Sequence, residues 1–301
     1  MYQTKIVVIG STNTDMVIKS DHLPAPGETL LGGTFFMNPG GKGANQAVAA
    51  SRLGGKVTFI SKTGNDIFGE QSVQNLKNEG INTEYMAVDP ENPSGIALIT
   101  VDSMAENCIV VASGSNMTLM PDDIDKAIKQ IELAEIVLLQ LEIPIETVEY
   151  AAQIAYRNNK KVILNPAPAQ KLSDSILKTI HILTPNETEA EILAGVKVTN
   201  TDTAEKAAQI LKKKGVEIVI ITMGANGAFI HTDSLAELIP APEVKAVDTT
   251  AAGDTFNGAL AVAFSEGFNI EEAVKFANRA ASIAVTKFGA QTSIPYRSEV
   301  S

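Results

Sequence analysis

Short β-branched and aliphatic runs recur along the chain at Ile6 to Ile9, Val57 to Ile60, Ile136 to Leu139, Val162 to Leu164, Ile180 to Leu183 and Ile218 to Thr222. Between them lie segments whose apolar residues return at helical spacing. Asp66 to Asn78 closes on Gly80, Pro121 to Leu133 puts Ile124, Ile128 and Ile131 on one face, and Thr201 to Lys214 closes on Gly215. Nearly continuous apolar strands alternating with helices bury both faces of a sheet. This predicts an α/β fold, a three-layer α/β/α sandwich around a mostly parallel sheet. The 301 residues exceed a usual single core but suit one large α/β domain with an insertion. No internal repeat or long linker divides the chain, so it is read as one domain over 1–301.

Two stretches break the rhythm. Residues 13–38 and 91–113 are strand-like and turn-rich, with Pro24, Pro26, Gly32, Gly33 and Pro93. They predict a small sheet outside the main core, serving as a lid over a site or as a subunit interface; ordinary surface hairpins are the alternative. Leu30, Phe35, Phe36, Ile96, Leu98 and Ile99 are more apolar surface than one small sheet covers, which points to a two-fold homodimer paired through this sheet.

Charge narrows the partners. With 24 Lys and Arg against 35 Asp and Glu, the formal charge is −11, which repels nucleic acid and anionic membranes. An anionic substrate then needs local help from helix N-termini, a metal ion or a placed Lys. The single Cys108, followed by Ile109, Val110 and Val111, is expected to be a buried or half-buried hydrophobe in a reducing compartment. The first residues have no signal-peptide layout and no run long enough to span a membrane, so the cytoplasm is the expected location. His22, His181 and His231 lack metal-site spacing and read as structural.

Two glycine-rich elements carry chemistry. Val247-Asp248-Thr249-Thr250-Ala251-Ala252-Gly253-Asp254-Thr255-Phe256-Asn257-Gly258 places small residues at the start of an apolar helix. Such a turn aims unpaired backbone N–H groups and the positive end of a helix dipole at one point, which suits a phosphate. Asp254 at its lip has two readings, a helix cap or a general base. The second element, Asn38-Pro39-Gly40-Gly41-Lys42-Gly43-Ala44-Asn45-Gln46-Ala47, also opens a helix. It is not a Walker A loop, because Phe36 and Gly43 occupy the positions of its first Gly and its Ser or Thr, and no G-x-G-x-x-G follows the first strand. Lys42 and Asn45 project where a hydroxyl-rich ligand could approach; a helix-entry glycine cluster with a solvated Lys is the plainer alternative.

These two elements resemble the signature regions of the ribokinase family, also called the phosphofructokinase B family, and the resemblance runs from Ile6 to about Pro295. It implies a ribokinase-like sandwich with a β lid that transfers phosphate from ATP to the O5 hydroxyl of ribose. Another sugar or nucleoside (deoxyribose, fructose, adenosine) as acceptor and a catalytically silent sugar-binding regulator are the alternatives. By the same resemblance, Asp254 is the base and the amides of Ala252 and Gly253 are the anion hole. Asn13, Asp15, Gly41, Lys42, Asn45 and Glu142 bind sugar. Asn186 and Glu189, in Thr184-Pro185-Asn186-Glu187-Thr188-Glu189, organise Mg2+ beside the phosphates, although as plain sequence that string is also a helix cap. Thr222, Gly224 and Gly227 match the nucleotide loop. Asn278 departs from the family's frequent His beside adenine. An activating K+ would be held by Asp248, Thr250, Ala284, Lys287, Gly289 and Ser293; a capped turn and an ordinary glycine loop are the alternative there.

Overall fold

The computed structural model describes residues 5–104 and 106–300. Its first strands are β1 (Ile6–Ile9), β2 (Asn13–Lys19), β3 (Thr34–Gly40), β4 (Val57–Gly64), β5 (Met86–Asp89), β6 (Gly95–Val101) and β7 (Asn107–Ala112). Then follow β8 (Ile136–Leu139), β9 (Lys161–Leu164), β10 (Ile182–Leu183), β11 (Ile218–Thr222), β12 (Ala228–His231) and β13 (Ala236–Ile239). Nine of these form one sheet in the order β13-β12-β11-β10-β9-β8-β1-β4-β5. The pairs from β11 to β5 are parallel, and β12 and β13 append an antiparallel hairpin.

The central strands carry apolar side chains toward both faces. Val7, Ile9, Val137 and Leu139 enter one core, while Ile6, Val8, Ile136 and Leu138 enter the other, and all eight are almost wholly buried. Each such side chain contributes about 1.5–3 kcal/mol of burial, so the sheet's register is strongly held. The expected three-layer sandwich is the architecture observed, with a second sheet beside it.

Local departures have local causes. Ile180 was expected to open β10, but its amide bonds to the Leu177 carbonyl at 3.2 Å and closes a helical turn instead. The segment Pro121 to Leu133 forms two helices, Pro121–Asp125 and Ile128–Leu133, because the Ala127 amide bonds back to Ile124 at 2.9 Å, three residues away. Ile124 and Ile131 are still buried and Ile128 packs against them, so the apolar face survives the break.

The small sheet runs β3-β2-β6-β7, with a parallel pair β2–β6 at its centre and antiparallel strands outside. Alternation along β2 divides its residues between two faces. Asn13 and Asp15 lie opposite Gly40 and Asn38 on one face, while Met37, Met16, Leu98 and Val110 form a cross-strand row on the other. Phe35 (57%), Leu98 (51%) and Val110 (63%) on that second face are exposed. Strand β7 has one neighbour and is exposed along its whole length. Cys108 is therefore exposed, which corrects the expectation of a buried thiol: its apolar neighbours mark an edge strand, not a core.

Two helices on one side of the large sheet matter for the site, Lys42–Arg52 and Ala252–Ser265. They cross closely because Gly258 presents no side chain to the other helix. A Cβ there would stand 2.5 Å from the Cβ of Ala49 and 2.8 Å from the backbone of Ala50 and Gln46.

Candidate active site

The C-terminal ends of β1, β8, β9, β10 and β11 deliver Ser11, Glu142, Asn165, Thr184 and Thr222 to one crevice, where ligands of open α/β sheets gather. The Lys42 helix enters it through Gly41. That residue has φ +88°, and a Cβ on it would lie 2.7 Å from the Asn13 amide nitrogen, so glycine is required twice over. Gly41 supplies no side-chain cap; the Glu142 carboxylate does so from the end of β8, accepting the Lys42 amide at 3.0 Å and the Ser11 hydroxyl at 2.5 Å.

Asp254 is the third residue of its helix and is buried. Its carboxylate does not cap that helix. One oxygen accepts the Asn45 side-chain amide at 2.9 Å and the other the Gln46 side-chain amide at 3.0 Å, both from the crossing helix. The turn before it starts from Ala251 in the left-handed region, φ 59°. The Ala252 amide donates to the Thr249 carbonyl at 3.2 Å, while the Gly253 and Asp254 amides have no protein acceptor among the described residues. A cavity of about 200 Å³ lies before this turn, walled by Lys42, Asn186, Glu189, Thr222, Thr249 and residues 251–254.

Electrostatics concentrate here. Burial raises the Asp254 pKa against the opposing pull of Lys42, Asn45 and Gln46. Burial, then repulsion from Glu142 and Asp254, raises Asp15 from 3.8 to about 6. Burial would lower Lys42, yet the carboxylates of Asp254, Glu142 and Glu189 outweigh it and the ammonium is strengthened. One cation thus serves several acids, and a helix N-terminus with free amides faces the same space.

The pfkB family carbohydrate kinase profile matches residues 3–297. The chain belongs to the pfkB family of carbohydrate kinases. It is 48% identical over 294 residues to the ribokinase of Haemophilus influenzae, covering 98% of this chain and 96% of that protein. To the deoxyribokinase of Salmonella typhi it is 40% identical over 291 residues, covering 96% and 95%. Among solved structures it resembles a ribokinase of Arabidopsis thaliana complexed with ribose and ATP. There the TM-score is 0.92 and the identity 32%, with 99% of this chain and 97% of that one covered.

Of the residues expected from sequence, Lys42, Asn186, Glu189, Thr222, Ala252, Gly253 and Asp254 line one cavity in this kinase. Asn13, Asp15, Gly41, Asn45 and Glu142 adjoin it through the contacts above. Asn186 and Glu189 also form the capping box foreseen as an alternative, each side chain accepting the other's amide at 2.8 Å. Gly224, Gly227 and Asn278 stand outside the cavity wall. The Asn278 side-chain amide is occupied by the Ile239 carbonyl at 2.9 Å and the Pro240 carbonyl at 3.4 Å.

Asp248 ties two segments together. It accepts from the Thr250 amide and hydroxyl at 2.9 and 2.6 Å, and from the Gly289 amide at 2.9 Å. The Ala284 carbonyl accepts the Lys287 amide at 3.0 Å, and the buried Ser293 hydroxyl donates to Ala290. Sequence reasoning missed Gln46, Asn165, Thr184 and Asn257. Gln46 stood inside a quoted motif, and Asn165 follows β9 directly; those positions were the available signals.

Asp15 offers a stability test. With a folded pKa of about 6 against 3.8, its neutral form favours the fold. That contribution is complete below about pH 3.8 and is lost as pH rises through about 6. Asp15→Asn cannot ionise, so its gain in thermal midpoint over the parent should open between about pH 4 and 6 and level off above about 7. Thermal unfolding across pH checks this, and a difference that does not change with pH contradicts it.

Proposed function

We propose that this kinase transfers the terminal phosphate of ATP to O5 of D-ribose. The observation that carries the reading is the buried Asp254 carboxylate, held by two amide donors beside Lys42 and the free amides of its own helix N-terminus. The O5 proton passes to Asp254 as O5 forms a bond to the terminal phosphorus, and the bond from that phosphorus to the ADP oxygen breaks. The N-terminal amides of 253–254, with Ala252 once released from Thr249, stabilise the charge on the transferring group. Lys42 offsets the same charge.

Ribose is favoured as acceptor because Asn13, Asp15, Gly41, Asn45 and Glu142 bring polar groups close to Lys42, which lines the cavity, and similar ribokinases share the fold. Similarity to a deoxyribokinase makes deoxyribose the second reading. Thr222, Gly224 and Gly227 would cradle the nucleotide. Asn278, committed to the backbone after β13, would shape the adenine side without bonding it directly.

Asn186 and Glu189 would hold Mg2+, which screens phosphate charge when bound. No three acidic, His or Cys side chains gather into a metal cage among the described residues; Mg2+ commonly keeps several waters and binds through one or two carboxylates and substrate phosphates. Asp248, Thr250, Ala284, Lys287, Gly289 and Ser293 offer oxygen donors only, a set suited to K+. No helix among the described residues is long and apolar enough to cross a membrane, and the cytoplasm is the compartment this reading implies. The stretches 13–38 and 91–113 act as a lid, whose outer apolar face pairs with that of a second copy.

Three measurements test these statements. ADP release should give ribose a higher kcat/KM than deoxyribose, fructose or adenosine, and Asp254→Asn should lower kcat at least about a hundredfold while ribose still binds. Preference for another acceptor would end the ribose assignment, and near-parent turnover in the variant would end the role of Asp254. Replacing K+ by a bulky organic cation at constant ionic strength should lower kcat, and Asp248→Ala should weaken that dependence; equal activity in both salts contradicts a K+ site. Sedimentation should find a dimer that Leu98→Glu together with Val110→Glu converts to monomer, whereas a parent monomer rules out the lid interface.

A further inference from the structure

Behind Asp254 lies a buried polar network that borders the cavity at Asn165, Thr184 and Asn257 and runs back from it to Gln46 and Gln140. The Gln46 side-chain nitrogen donates to Asp254 and to the Asn165 side-chain oxygen, both at 3.0 Å. Its oxygen accepts from the Gln140 side chain at 2.6 Å. From Asn165 the path continues to the Thr184 carbonyl at 3.3 Å, from the Thr184 hydroxyl to Asn257 at 2.6 Å, and from Asn257 to the Gly253 carbonyl at 2.8 Å. The hydrogen bonds thus close a ring from the Asp254 carboxylate to the backbone of the turn that bears it. Gln46 and Gln140 are wholly buried, so neither can touch sugar or nucleotide.

We propose that Gln46 is a positioning residue for phosphoryl transfer: oriented by Gln140, it fixes the Asp254 carboxylate toward the acceptor hydroxyl and couples it to the phosphate-facing turn. Direction is the core of the argument. Because Gln140 donates to the Gln46 oxygen, the Gln46 nitrogen must face Asp254; the reversed amide would set oxygen against carboxylate. Gln140 itself keeps a side-chain oxygen with no partner, packed against Gly10. A buried unpaired oxygen is a cost that an apolar residue of similar size would avoid. Its retention is accounted for if the donated hydrogen bond matters to the site. The pull of Gln46 on Asp254 also favours the ionised carboxylate, against burial.

This inference rests on Asp254 being the base, and the experiment separates the two. Steady-state kinetics with ribose between about pH 5 and 9 would compare the parent, Gln46→Met, Gln140→Met and Asp254→Asn. Loss of a hydrogen bond to a charged group should lower kcat of Gln46→Met about ten- to a hundredfold. Its KM for ribose should stay within about threefold of the parent, and the acid limb of its kcat/KM profile should move to higher pH. Gln140→Met should shift both in the same direction by less. A folded Gln46→Met with parent kcat overturns the proposal, as does a lower kcat with an unmoved acid limb. If circular dichroism shows Gln46→Met unfolded, a parent-like profile in Gln140→Met overturns it instead. An inactive Asp254→Asn beside a parent-like Gln46→Met defeats the positioning role alone. Near-parent turnover in Asp254→Asn defeats the base assignment and this inference with it.

Discussion

Asp254 is a largely buried carboxylate at the wall of the cavity, and much around it follows from the need to hold it there. An unpaired buried charge costs several kcal/mol, and two amide donors with a nearby ammonium offset much of that. Those donors sit on consecutive residues, Asn45 and Gln46, of a helix that must approach the Asp254 helix closely enough for both to reach. The approach is possible only because Ala49, Ala50 and Gly258 line the crossing. The entry of the donor helix is fixed in turn by Gly41 against the Asn13 backbone and by Glu142 on the Lys42 amide. The setting of this carboxylate is therefore assembled from helix packing, one glycine at positive φ and one borrowed cap.

The global charge of −11 makes the site's own charge economy more important. Asp15, Glu142, Glu189 and Asp254 all bear on Lys42, directly or through one another. Repulsion from Glu142 and Asp254 adds to burial in raising Asp15, and Lys42 is the cation that opposes these charges. On the proposed reading, the free amides of Gly253 and Asp254 would attract phosphate without adding titratable charge, beside carboxylates that would otherwise expel it.

The large sheet was legible because its strands are apolar at nearly every position, a pattern that only burial on both faces explains. Strands β5 and β13 are harder to read for the opposite reason: they are edge strands with exposed and polar positions such as Val88, Asp89 and Glu237. Glu142 could be singled out by resemblance, but its cap on a helix 100 residues earlier required the fold. Whether Asp254 caps its helix was equally tertiary, since it depends on which way the side chain turns. Gln46 and Gln140 look in sequence like ordinary polar residues and acquire meaning only from each other. Cys108 misled because an apolar run is the same in a core and on an uncovered edge.

Gly258 lies at the helix crossing, one turn beyond Asp254, and sets the separation between that carboxylate and the residues that hold it. A side chain there would loosen the hydrophobic packing and draw Asp254 away from Asn45 and Gln46 in one movement. Across most of the molecule a weakened core can coexist with an intact site, since the two draw on different contacts. At this crossing they share a single coordinate, so evolution cannot trade robustness for turnover there, and sequence drift at position 258 would be felt as both or as neither.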